Sequence, residues 1–231
     1  MSLITTGCQQ KGPRGIEHVL IIGIEGLTPQ GLWEASTPCM DSLMQNGAYS
    51  YNVRSVLPSS AIPNWAAMLY GAGPEITGVL ENEWNRDVDK CPPVVMSENH
   101  VFPNVYSVIR QQMPKAELGA ITDDEALFRV LENEVTNRCE VYHPQHRTIE
   151  KLAEYIKEKK PTLLFTHLND VDSILHDVGC MTPKYIQAIE RTDKDVRTLV
   201  NALKAADINE HTLVMITVDH GGLRRSHSGS T

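Results

Sequence analysis

Apolar residues along the chain follow two rhythms. One is the short unbroken run. Residues 18–24, HVLIIGI, have the length and composition of a strand buried on both faces, and they end in a Glu-Gly step into a loop. Residues 117–122, 139–142, 162–168 (TLLFTHL) and 212–218 (TLVMITV) read the same way, and 49–56 read as a further strand. The other rhythm is helical. It predicts helices over 32–45, ending near Asn46-Gly47, and over 63–70, with Pro63 in the first turn and Gly71 as the stop. Further helices are predicted over 104–113, 123–133 and 147–159. The longest opens with Thr182 as cap and Pro183 at its first position and runs to about residue 206.

Regular strand–helix alternation predicts an α/β fold: a doubly wound, mostly parallel sheet with helices on both faces. Residues 16–231 are expected to form one domain behind a disordered tail of 1–15. Residues 72–100 break the alternation with Pro, Gly, Asn and charge, as a long surface excursion would. Residues 83–103 are expected on the substrate side, and Trp84 and Tyr106 would be base-stacking residues or, more ordinarily, core or surface.

In such sheets ligands bind beyond the carboxyl ends of the strands. Glu25 follows the first strand, Asp170 and Asp172 follow 162–168, and Asp219 and His220 follow 212–218. DSILH puts Asp172 and His176 four apart, VDHGG joins Asp219 to His220, and His227 comes seven residues later. Carboxylate and imidazole together suit zinc, and manganese or iron less well. Two acid–histidine pairs plus a further histidine point to two ions, which in a phosphoryl-transfer site stand roughly 3.5–4 Å apart and clamp the attacking and leaving oxygens. His100, His143, His146 and His211 have no such setting and are read as surface or hydrogen-bonding residues.

Composition narrows the partners. With 231 residues, 41% of them hydrophobic, the chain can bury a large core. A net charge of −8 argues against a nucleic-acid duplex as partner. No run of about 18 apolar residues is present, so no transmembrane segment is expected. Cys39, Cys91, Cys139 and Cys180 are scattered and read as free or buried thiols. Cys8, in LITTGCQQ, is similar to the end of a bacterial lipoprotein signal; that reading implies an extracytoplasmic, lipid-anchored protein, and a thiol in a disordered tail is the other.

Taken together, LIIGIEGL, TPCMDSLMQNGA, LPSSAIPNWAAMLYGAGPEITGVLEN, NDVDSILHDVG and ITVDHGGLRRSHSG resemble, in order, the motifs of the alkaline phosphatase superfamily, and within it the type I phosphodiesterase/nucleotide pyrophosphatase family. The resemblance implies an alkaline-phosphatase-like fold and hydrolysis of phosphodiesters or nucleotide pyrophosphates. It implies one zinc held by Glu25, Asp219 and His220, and a second held by Asp172, His176 and His227. Asn82 falls on the asparagine that holds a phosphoryl oxygen. A further strand or two is implied after His227, against which this chain is short at its C-terminus.

Several positions depart from the pattern. Glu25 stands where the family has aspartate, and Val171 and Leu175 replace a proline and a glycine. Asp170 matches no ligand. Ala61 occupies the position of the threonine or serine nucleophile, and a methyl group cannot attack phosphorus. Three accounts remain: Ser60 supplies the hydroxyl from a turn rotated by one residue, a metal-bound hydroxide attacks directly, or the chain is a pseudoenzyme that binds metal or phosphorylated ligand with little turnover. Phosphomonoester, phosphonate and sulfate ester hydrolysis are rivals within the enzyme class, because one fold serves them all.

Overall fold

β1 (His18–Ile24) is the strand around which the sheet is built: it pairs in parallel with β4 (Leu163–Leu168) on one side and β5 (Thr212–Thr217) on the other. β2 (Leu118–Thr122) and β3 (Arg138–Val141) continue the sheet beyond β4, giving the order β3-β2-β4-β1-β5. The computed structural model describes residues 15–87 and 91–228, so the expected tail and Cys8 lie outside the described residues.

Strand alternation divides the core. Leu20, Ile22 and Ile24 of β1 face one way, into a cluster with Leu164 and Leu168. That cluster is closed by α6 (Gln145–Lys159), α7 (Asp170–Val178) and the long α8 (Pro183–Ala205). Leu118, Ala120, Leu163 and Phe165 face the other way, into a cluster with Ile62, Trp65 and Leu69 of α3 (Ala61–Tyr70) and Tyr106 of α5 (Val105–Gln112). Trp84 and Tyr106 are both core residues, and the Tyr106 hydroxyl donates to the Gly119 carbonyl. The two edge strands, β3 and β5, depart from a fully buried run, and Leu213 and Met215 on the open face of β5 remain exposed.

Three local expectations are corrected. Residues 32–45 form two helices, α1 (Pro29–Glu34) and α2 (Pro38–Gln45). Pro38 cannot continue a helix but can begin one, and the buried Asp193 carboxylate of α8 accepts hydrogen bonds from the Cys39 and Met40 amides. Residues 49–56 form no strand beyond an isolated bridge at Arg54. Residues 123–133 form 3-10 turns, Glu125–Arg129 and Asn133–Val135, in place of an α-helix. Among its described residues, the 72–100 excursion contains one short helix, α4 (Pro74–Thr77). A hairpin that no apolar run announces, β6 (Gly221–Leu223) with β7 (Ser226–Ser228), follows β5.

Candidate functional site

The carboxyl ends of β1, β4 and β5 are adjacent in the sheet, and each delivers acidic or imidazole groups to the same edge. β1 ends at Glu25. The loop that follows turns at Gly26, whose φ is +71°, and a Cβ there would come within 2.8 Å of the Asp172 Cα. Only glycine lets the β1 loop approach α7 this closely. Asp172, in the first turn of α7, is buried beside it. β5 leads to Asp219 and His220, both buried.

One ligand atom from each of Glu25, Asp172 and His220 lies within 4.8 Å of the other two. Glu25 Oε1 is 3.6 Å from His220 Nε2, and one Asp219 oxygen is 3.0 Å from the same nitrogen. Neither Asp219 oxygen makes a well-directed hydrogen bond to another described residue, although both are buried. A carboxylate without hydrogen bonds in a dry site is costly unless something positive faces it. Burial and the nearby Glu25 charge push the Asp219 carboxyl well above the ordinary carboxylate range. For Glu25, burial works upward too, but the hydrogen bond from His167 and the neighbouring His220 imidazole outweigh it and hold the carboxyl well below that range.

His176 lies at the rim. Its Nε2 is 3.3 Å from an Asp172 oxygen, its Nδ1 is 3.1 Å from the Arg225 carbonyl, and its side chain is 45% exposed. His227 pairs with Gly222 in the β6–β7 hairpin, and its side chain lies outside the described residues. The buried carboxylates, the imidazole among them and the Asp219 oxygens without hydrogen bonds form a donor set that fits a divalent cation.

The turn before α3 is held by a residue that sequence reasoning passed over. Asn64 Oδ1 accepts from the Val56 amide, and its Nδ2 donates to the Pro58 and Ser60 carbonyls. Ser60 is the N-cap of α3, but its hydroxyl makes no capping bond, and Ala61 begins the helix as a buried residue. Asn82 Oδ1 accepts from the Ile62 amide at 3.0 Å, which fixes Asn82 against the same helix start. One turn further on, Trp65 packs edge-on against His167, with ring centroids 5.0 Å apart. Because His167 touches both Trp65 and Glu25, it links α3 to the acidic cluster at the carboxyl edge of the sheet.

His167, Asp123 and Asp124 are the other residues not foreseen. His167 is the next-to-last residue of β4, fully buried, with Nε2 2.5 Å from Glu25 Oε2 and Nδ1 3.3 Å from Asp123 Oδ1. Burial alone would push its imidazole down, but the hydrogen bonds to Asp123 and Glu25 raise it to about 10. Glu25, His167 and Asp124 form a second group with metal-ligand spacing. Asp123 and Asp124 directly follow β2, so the strand-end rule that selected Asp170 would also have selected them. Asp170 itself lies outside both groups, its carboxyl raised by burial and by Asp123. A separate surface cleft, lined by Ser36, Glu190, Asp193 and Arg197, shares no residue with the site.

A family profile described as type I phosphodiesterase / nucleotide pyrophosphatase matches residues 19–226. Ectonucleotide pyrophosphatase/phosphodiesterase family member 1 of Homo sapiens is 20% identical over 249 residues, covering 90% of this chain and 24% of the human protein. Family member 3 of Bos taurus is 22% identical over 230 residues, covering 94% of this chain and 26% of the bovine one. The chain therefore spans about a quarter of the length of these relatives. Among solved structures, murine ectonucleotide pyrophosphatase/phosphodiesterase 5, an inactive threonine-to-alanine form in complex with AMP, is similar with a TM-score of 0.72. That match is 20% identical and covers 89% of this chain and 57% of the murine chain. The human counterpart is similar with a TM-score of 0.71 at 19% identity, over 88% of this chain and 57% of its own. At this identity the likeness is one of fold.

Proposed function

The chain belongs to the type I phosphodiesterase/nucleotide pyrophosphatase family, matched over residues 19–226, and on that premise we propose that it is a hydrolase of phosphate esters, acting on phosphodiesters or nucleotide pyrophosphates with two divalent ions, zinc first. The observation that carries this reading is the buried convergence of Glu25, Asp172 and His220 beside an Asp219 carboxylate that makes no well-directed hydrogen bond to another described residue. Glu25, Asp219 and His220 would hold one ion, and Asp172, His176 and His227 the other. Such ions supply charge stabilisation for the phosphoryl oxygens and for the attacking and leaving oxygens.

The chain's own groups do the rest. Asn82 gives its Oδ1 to the Ile62 amide, which leaves its Nδ2 to donate to a phosphoryl oxygen. The start of α3 adds the positive end of the helix dipole at the same place. Ser60, unused as a cap, carries a hydroxyl on the residue next to the nucleophile position. The substrate is a small phosphate ester or nucleotide. We also propose an extracytoplasmic location, supported by the ectoenzyme names of the relatives; no described helix is long and apolar enough to cross a membrane.

A second reading has its own support. Ala61 is buried at the first position of α3. The murine relative, in an inactive threonine-to-alanine form, is solved in complex with AMP. A metal- and nucleotide-binding pseudoenzyme is the corresponding reading here. The two readings separate by hydrolysis of bis-p-nitrophenyl phosphate with zinc for the unmodified chain, Ser60→Ala, Ala61→Ser and Ala61→Thr. If Ser60 attacks, Ser60→Ala loses activity on the order of 100-fold or more. An inactive chain made active by Ala61→Thr establishes the pseudoenzyme and removes Ser60 from the mechanism. Turnover untouched by Ser60→Ala excludes Ser60 as nucleophile and leaves direct attack by water.

A further inference from the structure

Glu25 carries one methylene more than the aspartate that the family resemblance implies at this position, and so one more free torsion. A ligand that can swing loses rotamer entropy on binding, and its carboxylate can adopt unproductive positions. His167 addresses both problems. Its ring sits in β4 directly opposite Gly23 of β1 and is fully buried. Trp65 packs edge-on against it at 88°, in space that exists because Gly23 has no side chain: a Cβ there would collide with the indole. Each ring nitrogen faces a carboxylate oxygen, which can only accept, so the imidazole donates to Glu25 Oε2 on one side and to Asp123 Oδ1 on the other. Asp123 is anchored in turn, its second oxygen accepting from the Asn169 amide at 3.0 Å.

We infer that His167 is a positioning residue: backed by Asp123 and wedged by Trp65, it holds Oε2 of Glu25 so that Oε1 is presented to the space shared with His220 and Asp172. The inference rests on the metal reading of that space. It goes further by tying the Glu25 departure to a residue in β4 and another after β2, neither of which belongs to the expected ligand set. Hydrogen bonds behind a ligating carboxylate fix its orientation, and losing such support typically costs 10–100-fold in metal affinity.

The test is zinc affinity of the full chain, measured by competition with a chromophoric chelator, alongside thermal unfolding in EDTA. His167→Leu is expected to weaken zinc binding about 10- to 100-fold. His167→Gln, whose amide can still donate to Glu25, is expected to recover most of that loss. In a Glu25→Asp background the His167→Leu exchange is expected to change affinity less than about two-fold, because the shorter carboxylate no longer reaches the ring. Should His167→Leu fail to fold, Asp123→Asn carries the test, with an expected loss of about 10-fold. Zinc affinity unchanged in His167→Leu or, if that variant fails to fold, in Asp123→Asn, or additive with Glu25→Asp, overturns the positioning role while leaving the metal reading intact. No zinc uptake by the unmodified chain overturns both.

Discussion

Asp219 is a carboxylate under two opposed demands. In the metal-free protein, burial and the Glu25 charge favour its protonated form. Because its native pKa lies above the ordinary 3.8, the stability linked to that proton is present below pH 3.8 and is lost as pH rises through the native value. At about pH 7.5, well above the ordinary 3.8, the buried carboxyl therefore weakens the metal-free fold. Asp219→Asn should raise the melting temperature in EDTA by a few degrees, corresponding to about 1–2 kcal/mol, and should weaken zinc binding by at least about 10-fold. A lower melting temperature in EDTA would show that Asp219 is already satisfied without metal. Asp219 and His220 were legible as a pair because they directly follow an apolar run. His167 was not, because inside TLLFTHL it reads as one polar residue in a strand, and only the neighbours across the sheet give it a role.

Among the elements, the loop from β1 to α1 depends most on a single residue. Gly26 has both a positive φ and backbone of α7 against it, whereas Gly71 at the end of α3 has φ +66° and open space, with nothing within 4 Å of where a Cβ would stand. Gly71→Ala should cost only the strain, about 1 kcal/mol, with zinc affinity unchanged. Gly26→Ala should cost about 1–3 kcal/mol and lower zinc affinity as well, since the added carbon displaces Asp172; equal behaviour of the two variants in chelator competition would refute that difference. The long α8 was readable end to end because Thr182 accepts from the Tyr185 amide and Pro183 opens the helix. Residues 49–56 were not: β-favouring residues make a strand only where a partner strand is available. For 123–133 the competing pull is local, since the Asp124 side chain takes the Ala126 amide and the buried Glu132 accepts from Ser97 and Asn99.

Across the whole molecule, the candidate ligands come from the ends of separate strands, so an unfolded chain offers no preformed site. Zinc should then stabilise the native state by mass action, about 2.7 kcal/mol at a hundred-fold excess over its Kd, or about 5–10 °C at this size. Differential scanning fluorimetry with zinc, then EDTA, checks this; a melting temperature indifferent to zinc counts against the metal site. Strand order, by contrast, is a property that no local pattern encodes. Apolar runs and helix caps determined that the chain would form a parallel α/β sheet, and the strand-end rule located Glu25, Asp172, Asp219 and His220 on its carboxyl edge. Tertiary structure alone decided that β4, β1 and β5 lie side by side, that Gly26 lets Asp172 close on Glu25, and that His167 stands between Glu25 and Asp123. The reason is physical: periodicity reports which face of an element is buried, while the partner across that face is set by packing between segments more than a hundred residues apart.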